Sequence, residues 1–124
     1  KKFNDTYGHL VGDKVLRFVA LMLTKMIKGR DKLARYGGEE FAIVLPETDF
    51  AGGMSLASSI VSSIAKTRLI VGEKQDTLDP VTVSVGVACC REDDLPETLF
   101  ERADQALYQA KQSGRNKAVG EEAS

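Results

Sequence analysis

Apolar residues recur along the chain with two different periods. Between residues 5 and 28, Val15, Val19, Met22, Leu23, Met26 and Ile27 return every three or four positions, which predicts a helix with Gly29 as its stop. Two short apolar runs follow, residues 33–36 and 41–45, separated by Gly37-Gly38 and closed by Pro46. A glycine pair reaches positive φ without steric cost, so these runs predict the two strands of a hairpin. Helical spacing returns over residues 50–67, where Met54, Ala57, Val61 and Ile64 define one face. Residues 69–80 are polar, include Gly72, and predict a loop or an irregular hairpin. The period then falls to two. Val81, Val83, Val85 and Val87 alternate with Thr82, Ser84, Gly86 and Ala88, which predicts a strand with one apolar face and one flat face. A third helix begins near Pro96, turns Leu99, Ala103, Leu107 and Ala110 inward, and stops at Gly114. Ala118 and Val119 predict a short last strand, and residues 120–124 a frayed, disordered tail.

The predicted order is α-β-β-α-β-α-β. Helices alternating with strands around one antiparallel hairpin imply an α+β fold with helices packed on a mixed, mostly antiparallel sheet. A complete ferredoxin-like core begins with a strand before the first helix, and that strand is absent here. No repeat, low-complexity stretch or linker interrupts the pattern, so residues 1–119 are expected to form one domain.

Composition narrows the function. The 124 residues are 43% hydrophobic and 28% charged, as in a soluble globular domain. Seventeen basic and eighteen acidic residues leave a net charge of −1, which offers no broad attraction to nucleic acid or to an anionic membrane. A phosphate-bearing ligand must therefore be held by a local cluster. No apolar run approaches the length of a membrane span, and no signal peptide is visible. Cys89 and Cys90 are neighbours on a predicted strand and point to opposite faces, so a bridge between them is strained. A reducing, cytoplasmic setting is the simpler expectation, with no role for either thiol.

Three segments carry candidate chemistry. In Arg35-Tyr36-Gly37-Gly38-Glu39-Glu40-Phe41, two glycines at a hairpin tip let a bulky anion approach backbone donors. The two carboxylates after them are hard oxygen ligands of the kind magnesium takes together with substrate phosphates. A solvated turn with two surface glutamates accounts for the same residues. In the segment from Asn4 to Asp13, Asp5 or Thr6 serves as a helix cap, and Asp13 sits favourably near the positive end of the helix dipole. The competing reading is base recognition, since guanine's N–H donors suit a carboxylate such as Asp13 and an amide such as Asn4. His9, the single histidine, reads by itself as a packing or capping residue. In the third segment Lys111 and Arg115 flank Gly114, a left-handed helix cap. The two cations either complement the helix dipole or grip a triphosphate together.

These segments, in this order, resemble the GGDEF family of diguanylate cyclases in its GGEEF form. The matching stretches are Asn4-Asp5, Gly8-His9 and Gly12-Asp13, then Gly37 to Phe41, then Thr82-Val83-Ser84-Val85-Gly86, and Ala103-Asp104 through Arg115-Asn116. The likeness runs from Lys1 to about Val119. It implies a fold that is both ferredoxin-like and similar to a nucleotide-cyclase palm, and the condensation of two GTP molecules into cyclic di-GMP with release of two pyrophosphates. By resemblance, Glu39 binds magnesium (manganese is the alternative ion), with Glu40 as second carboxylate and proton acceptor. Asn4 and Asp13 read guanine with His9 lining that pocket, Gly37 and Gly38 admit the phosphates, and Lys111 and Arg115 hold the terminal ones. One domain holds one GTP, so turnover requires a second GGDEF domain facing the first, usually governed by an upstream sensor or receiver domain. Nucleic acid and direct membrane contact are not expected, although a membrane anchor upstream is compatible with the pattern.

Two departures matter. The family pattern begins D-x-D-x-F-K, of which this chain has only the lysine, Lys1. The preceding strand normally gives the metal an aspartate and a carbonyl, so the chain by itself is expected to bind metal weakly and turn over little. The family's inhibitory product site, R-x-x-D, falls on Lys28 and Asp31. Lysine lacks arginine's planar fork, so weak or absent product inhibition is expected. The alternative functions are a catalytically silent GTP- or cyclic di-GMP-binding module, and a related cyclase or polymerase acting on another nucleotide.

Overall fold

A computed structural model of the chain describes residues 9–36, 39–67, 70–71, 76–77 and 81–121. Their order is α1 (His9–Met26), β1 (Lys32–Arg35), β2 (Phe41–Val44), α2 (Phe50–Lys66), β3 (Ile70–Val71), β4 (Asp76–Thr77), β5 (Val85–Val87), α3 (Pro96–Gln112) and β6 (Ala118–Gly120). The strands form three two-stranded ladders, β1–β2 and β3–β4 antiparallel and β5–β6 parallel. Helices and short ladders combine as the α+β expectation required. The contacts group into two compact units, residues 1–47 with 67–81, and residues 48–66 with 82–124.

In the first unit, α1 buries Val15, Val19 and Leu23, the predicted stripe at four-residue spacing. Ile27 N–H still donates to Leu23 O at 3.2 Å, and Gly29 then takes φ 59°, a left-handed stop that a side chain adopts only with strain. The hairpin has the register Lys32↔Val44, Leu33↔Ile43, Ala34↔Ala42 and Arg35↔Phe41. Tyr36 N–H extends the ladder by donating to Glu40 O at 2.7 Å, one step beyond the Arg35↔Phe41 pair. The polar excursion contains the small β3–β4 hairpin, with Ile70 opposite Thr77.

The second unit is a layered packet. The β5–β6 ribbon lies between α2 and α3, and its two faces differ as the valine alternation predicted. On one face a Cβ built on Gly53 of α2 would lie 3.3 Å from Val87 Cγ1, and one on Gly120 would meet Phe50 and Met54 of α2. On the other face a Cβ on Gly86 would lie 2.2 Å from Ala103 O and 2.3 Å from Leu107 N. Only glycine lets the backbone of α3 come that close. The buried stripe of α2 is Gly53, Ala57, Ile60 and Ile64, one position away from the predicted Met54 and Val61, because the glycine seats the helix on Val87.

Capping is local. Asp49 Oδ1 accepts Gly52 N–H at 2.8 Å and starts α2. Pro96 opens α3, where Thr98 Oγ1 accepts Leu95 N–H at 3.0 Å, half of a capping box. Most boundaries shift by a residue or two from the sequence expectation, and two differences near the ribbon matter. Among the described residues only Val85–Val87 of the 81–88 run joins a ladder. At the other end β6 runs through Gly120, and Glu121 N–H donates to Val87 O at 2.8 Å, so order extends two residues into the expected tail. No described helix is long and apolar enough to cross a membrane.

Candidate functional site

Asn4, Gly37 and Gly38 lie outside the described residues, as does the His9 side chain, while the His9 backbone begins α1. Asp13 is on the exposed side of α1. Glu39 sits exposed at the hairpin tip, and Glu40 is half-buried at the foot of β2, its carbonyl tied to Tyr36 N–H. The difference in exposure fits two neighbouring side chains that point in different directions.

Lys28 and Asp31 are brought together, though in a local turn. Asp31 N–H donates to Lys28 O at 3.0 Å, and Asp31 Oδ2 accepts Lys28 N–H at 3.1 Å. The carboxylate thus holds its own loop. Nearby, Arg30 and Glu47 form an exposed pair at 2.6 Å, of small energetic consequence.

In the second unit, Lys111 is half-buried in the last turn of α3 and Arg115 is exposed just past its cap. Gly114 takes φ 115°, the left-handed conformation expected of it. Arg115 and Asn116 follow at φ 63° and 51°, which the sequence did not announce. Arg115 N–H donates to Ala110 O at 2.9 Å, Ser113 Oγ to Gln109 O at 2.7 Å, and the Lys117 ammonium to Ser113 O. A groove of about 360 Å³ between α2 and the start of β6, lined by Ser58, Ser62, Lys66, Asn116 and Lys117 among others, contains none of the expected site residues.

An ion cluster around Arg102 was not expected from the sequence. Arg102 spreads over four acceptors: Asp94 Oδ1 at 2.5 Å, Asp94 Oδ2 at 2.7 Å, Glu121 Oε1 at 3.1 Å and Cys89 O at 2.7 Å. Asp94 also accepts Arg91 N–H at 2.6 Å, and Glu121 accepts Cys89 N–H at 2.6 Å and the Arg91 guanidinium at 2.7 Å. The side chains of Asp94, Glu121 and Arg102 are 6%, 12% and 19% exposed, so water competes weakly for these bonds. The Arg102 guanidinium, then Arg91 N–H, holds the Asp94 carboxyl well below its ordinary range. Asp94 in turn raises Arg102. Burial pushes Glu121 up, but Cys89 N–H, Arg102 and Arg91 outweigh it and leave the carboxyl lowered. One signal was present in the sequence. Arg102 stands next to Ala103 of the inward stripe, and a charge at the edge of an apolar face needs a partner.

Glu39 and Glu40 have the oxygen chemistry that magnesium takes, but no group of three metal-ligating side chains occurs among the described residues. The pair fits part of a coordination sphere that phosphate and water oxygens would complete.

Comparison with known proteins agrees with the motifs. Residues 1–117 match the family model described as "Diguanylate cyclase, GGDEF domain". The chain is 44% identical over 124 residues to the response regulator PleD of Caulobacter vibrioides, covering 99% of this chain and 27% of that protein. It is 41% identical over 117 residues to the diguanylate cyclase DgcP of Pseudomonas aeruginosa, covering 94% of this chain and 17% of that protein. The chain therefore spans about a quarter or less of these relatives. Among solved structures, the GGDEF domain of DgcB from Caulobacter crescentus, in complex with c-di-GMP, superposes with a TM-score of 0.94 at 34% identity, covering 98% of this chain and 69% of that one. The active GGEEF domain of a diguanylate cyclase from Vibrio cholerae gives 0.82 at 33% identity, covering 98% and 76%.

Proposed function

The chain belongs to the GGDEF family of diguanylate cyclase domains, and on that premise we propose that it condenses two GTP molecules into cyclic di-GMP as one of two facing half-sites. What carries the reading is the match over residues 1–117 together with an intact Gly37-Gly38-Glu39-Glu40-Phe41 segment.

In this reading residues 1–119 form the catalytic domain. Asn4 and Asp13 pair with the Watson–Crick edge of guanine, and His9 lines the same pocket. Gly37 and Gly38 leave room for phosphates at the hairpin tip. Lys111 and Arg115 grip the terminal phosphates and so stabilise the charge that gathers on departing pyrophosphate. Glu39 and Glu40 hold a magnesium ion, which supplies neutralisation of triphosphate charge when bound. Glu40 accepts the proton of the attacking 3′-hydroxyl, whose oxygen bonds to the α-phosphorus of the partner's GTP as the bond to pyrophosphate breaks. Each copy supplies one 3′-hydroxyl and one α-phosphate, so two copies release two pyrophosphates and close one ring. Pairing is then the natural point of control by an upstream sensor or receiver domain. Lys28 in place of arginine weakens the product site, and Asp31, engaged with its own turn, does little to restore it.

The test is turnover with magnesium and GTP, or ATP, by the chain extended at its N-terminus with the D-x-D-x-F segment of the family pattern. Cyclic di-GMP should form from GTP alone, with specific activity rising with protein concentration as two copies meet. GTP binding without product would favour a silent binding module. Equal use of ATP would remove Asn4 and Asp13 from base recognition.

A further inference from the structure

Two successive non-glycine residues in the left-handed region, Arg115 at φ 63° and Asn116 at φ 51°, are costly to hold. Such conformations persist where the surroundings over-determine them, and they gather at working sites. The bonds around this turn show what does the holding. On the helix side, Ser113 N–H donates to Gln109 O at 3.0 Å and Arg115 N–H to Ala110 O at 2.9 Å. On the strand side, Val85 N–H donates to Lys117 O at 3.0 Å. The turn is thus anchored to α3 on one flank and, through Lys117, to β5 on the other, so its shape follows the mutual position of α3 and the β5–β6 ribbon.

That position is fixed at the far end by Arg102. Helix α3 leaves the Arg102 cluster, runs to the turn, and β6 returns to Glu121, which bonds to the Arg102 guanidinium at 3.1 Å. The same guanidinium reaches Cys89 O, just beyond β5, at 2.7 Å, and grips Asp94, just ahead of α3, through both oxygens. Helix, turn, strand and ion pair make a closed frame. Gly86 adds a second constraint by seating β5 on the backbone of Ala103 and Leu107. From Arg102 to Lys111 is nine residues, about 14 Å of rigid helix, so a tilt at one end is delivered to the other.

The geometry points to Arg102 as a positioning residue: by closing the α3–β6 frame it sets the strained turn that presents Arg115, and with it Lys111, to the terminal phosphates of the nucleotide. This inference rests on the reading of Lys111 and Arg115 as the phosphate grip. Arginine is needed because four acceptors in three chain segments must be spanned by one planar fork, which the point charge of lysine cannot do.

The experiment uses two mild variants, Arg102→Lys and Glu121→Gln, with Arg115→Ala as reference. GTP and GMP affinities are measured by calorimetry in magnesium buffer, and amide exchange at Arg115 by NMR. GMP lacks the terminal phosphates, so a loosened grip should weaken GTP about tenfold, leave GMP within about twofold, and speed exchange at Arg115 about tenfold or more. In an Arg115→Ala background, Arg102→Lys should add less than about twofold to the GTP loss, because residues acting through one another are not additive. An unchanged ratio of GTP to GMP affinity in both variants overturns the inference, whatever their melting temperatures. So does an equal loss of both ligands, which marks general damage. If Arg102→Lys fails to fold, Glu121→Gln carries the test, since its amide oxygen still accepts Cys89 N–H. Should Arg115→Ala itself leave the ratio unchanged, the phosphate-grip reading fails, and exchange at Arg115 alone then decides whether Arg102 holds the turn.

Discussion

At the end of the β1–β2 hairpin a backbone bond from Tyr36 N–H to Glu40 O carries the ladder up to the Glu39-Glu40 pair. The turn from α3 into β6 is built differently. It is bonded on both flanks, contains three consecutive positive φ angles, and lies in a frame closed by a nearly buried ion cluster. The described bond at the hairpin end joins neighbours in sequence, whereas the α3–β6 turn and its frame are tied to groups up to 32 residues away. Chemistry placed on the first should be separable from stability, whereas chemistry placed on the second should not.

The sharpest test of that contrast is Glu39→Gln, which keeps shape and removes a ligand charge. Cyclic di-GMP formation should fall about 10²–10³-fold, since several kcal/mol of transition-state stabilisation are at stake. The melting temperature should stay within a few degrees, as for other exposed substitutions. Loss of both activity and fold would erase the distinction between the turns.

Gly86→Ala attacks the other side. Its methyl group would enter the space of Ala103 O and Leu107 N, backbone atoms that cannot swing aside, so α3 must move. A loss of about 2–3 kcal/mol in denaturant unfolding is expected, with GTP affinity falling alongside it. Gly120→Ala is the companion measurement. Its methyl meets the Phe50 ring and the Met54 sulfur, ends of side chains on the α2 face that can turn toward solvent. The cost there should be about 1 kcal/mol or less. Equal costs at the two glycines would mean that the faces of the ribbon are not as different as they look.

A smaller effect comes from pH. Asp94 and Glu121 have lowered carboxyl pKa values in the folded chain. The unfolded chain therefore binds more protons as the solution is acidified, and the stability these groups contribute is present above the ordinary carboxylate pKa of about 4 and lost below it. The melting temperature should decline from about pH 5 downward, and less steeply in Glu121→Gln. An identical slope in that variant would show that Glu121 does not report on the frame.

Much of the molecule was legible in its sequence. Three helices and the hairpin follow from spacing alone, because burial of one face imposes a period of 3.6 or 2 on the chain. The valine alternation even announced that one face of β5 would be flat, and Gly86 is where α3 packs. Gly29 and Gly114 stop their helices as glycine's freedom at positive φ predicts. The Arg102 cluster was not legible in the same way. Its members, at positions 89, 91, 94, 102 and 121, share no period, and a charge beside an inward stripe says only that some partner exists.

What the amino-acid order determined by itself is local: where helices and turns fall, which motif stands at the hairpin tip, and hence which family the chain joins. These features depend on side-chain spacing and backbone freedom over a few residues. Tertiary structure decided which distant carboxylates Arg102 would meet, and that Arg115 and Asn116 would both be held left-handed. Such pairings are set by how α3 packs on the β5–β6 ribbon and the segments that flank it, and no period in the sequence encodes them.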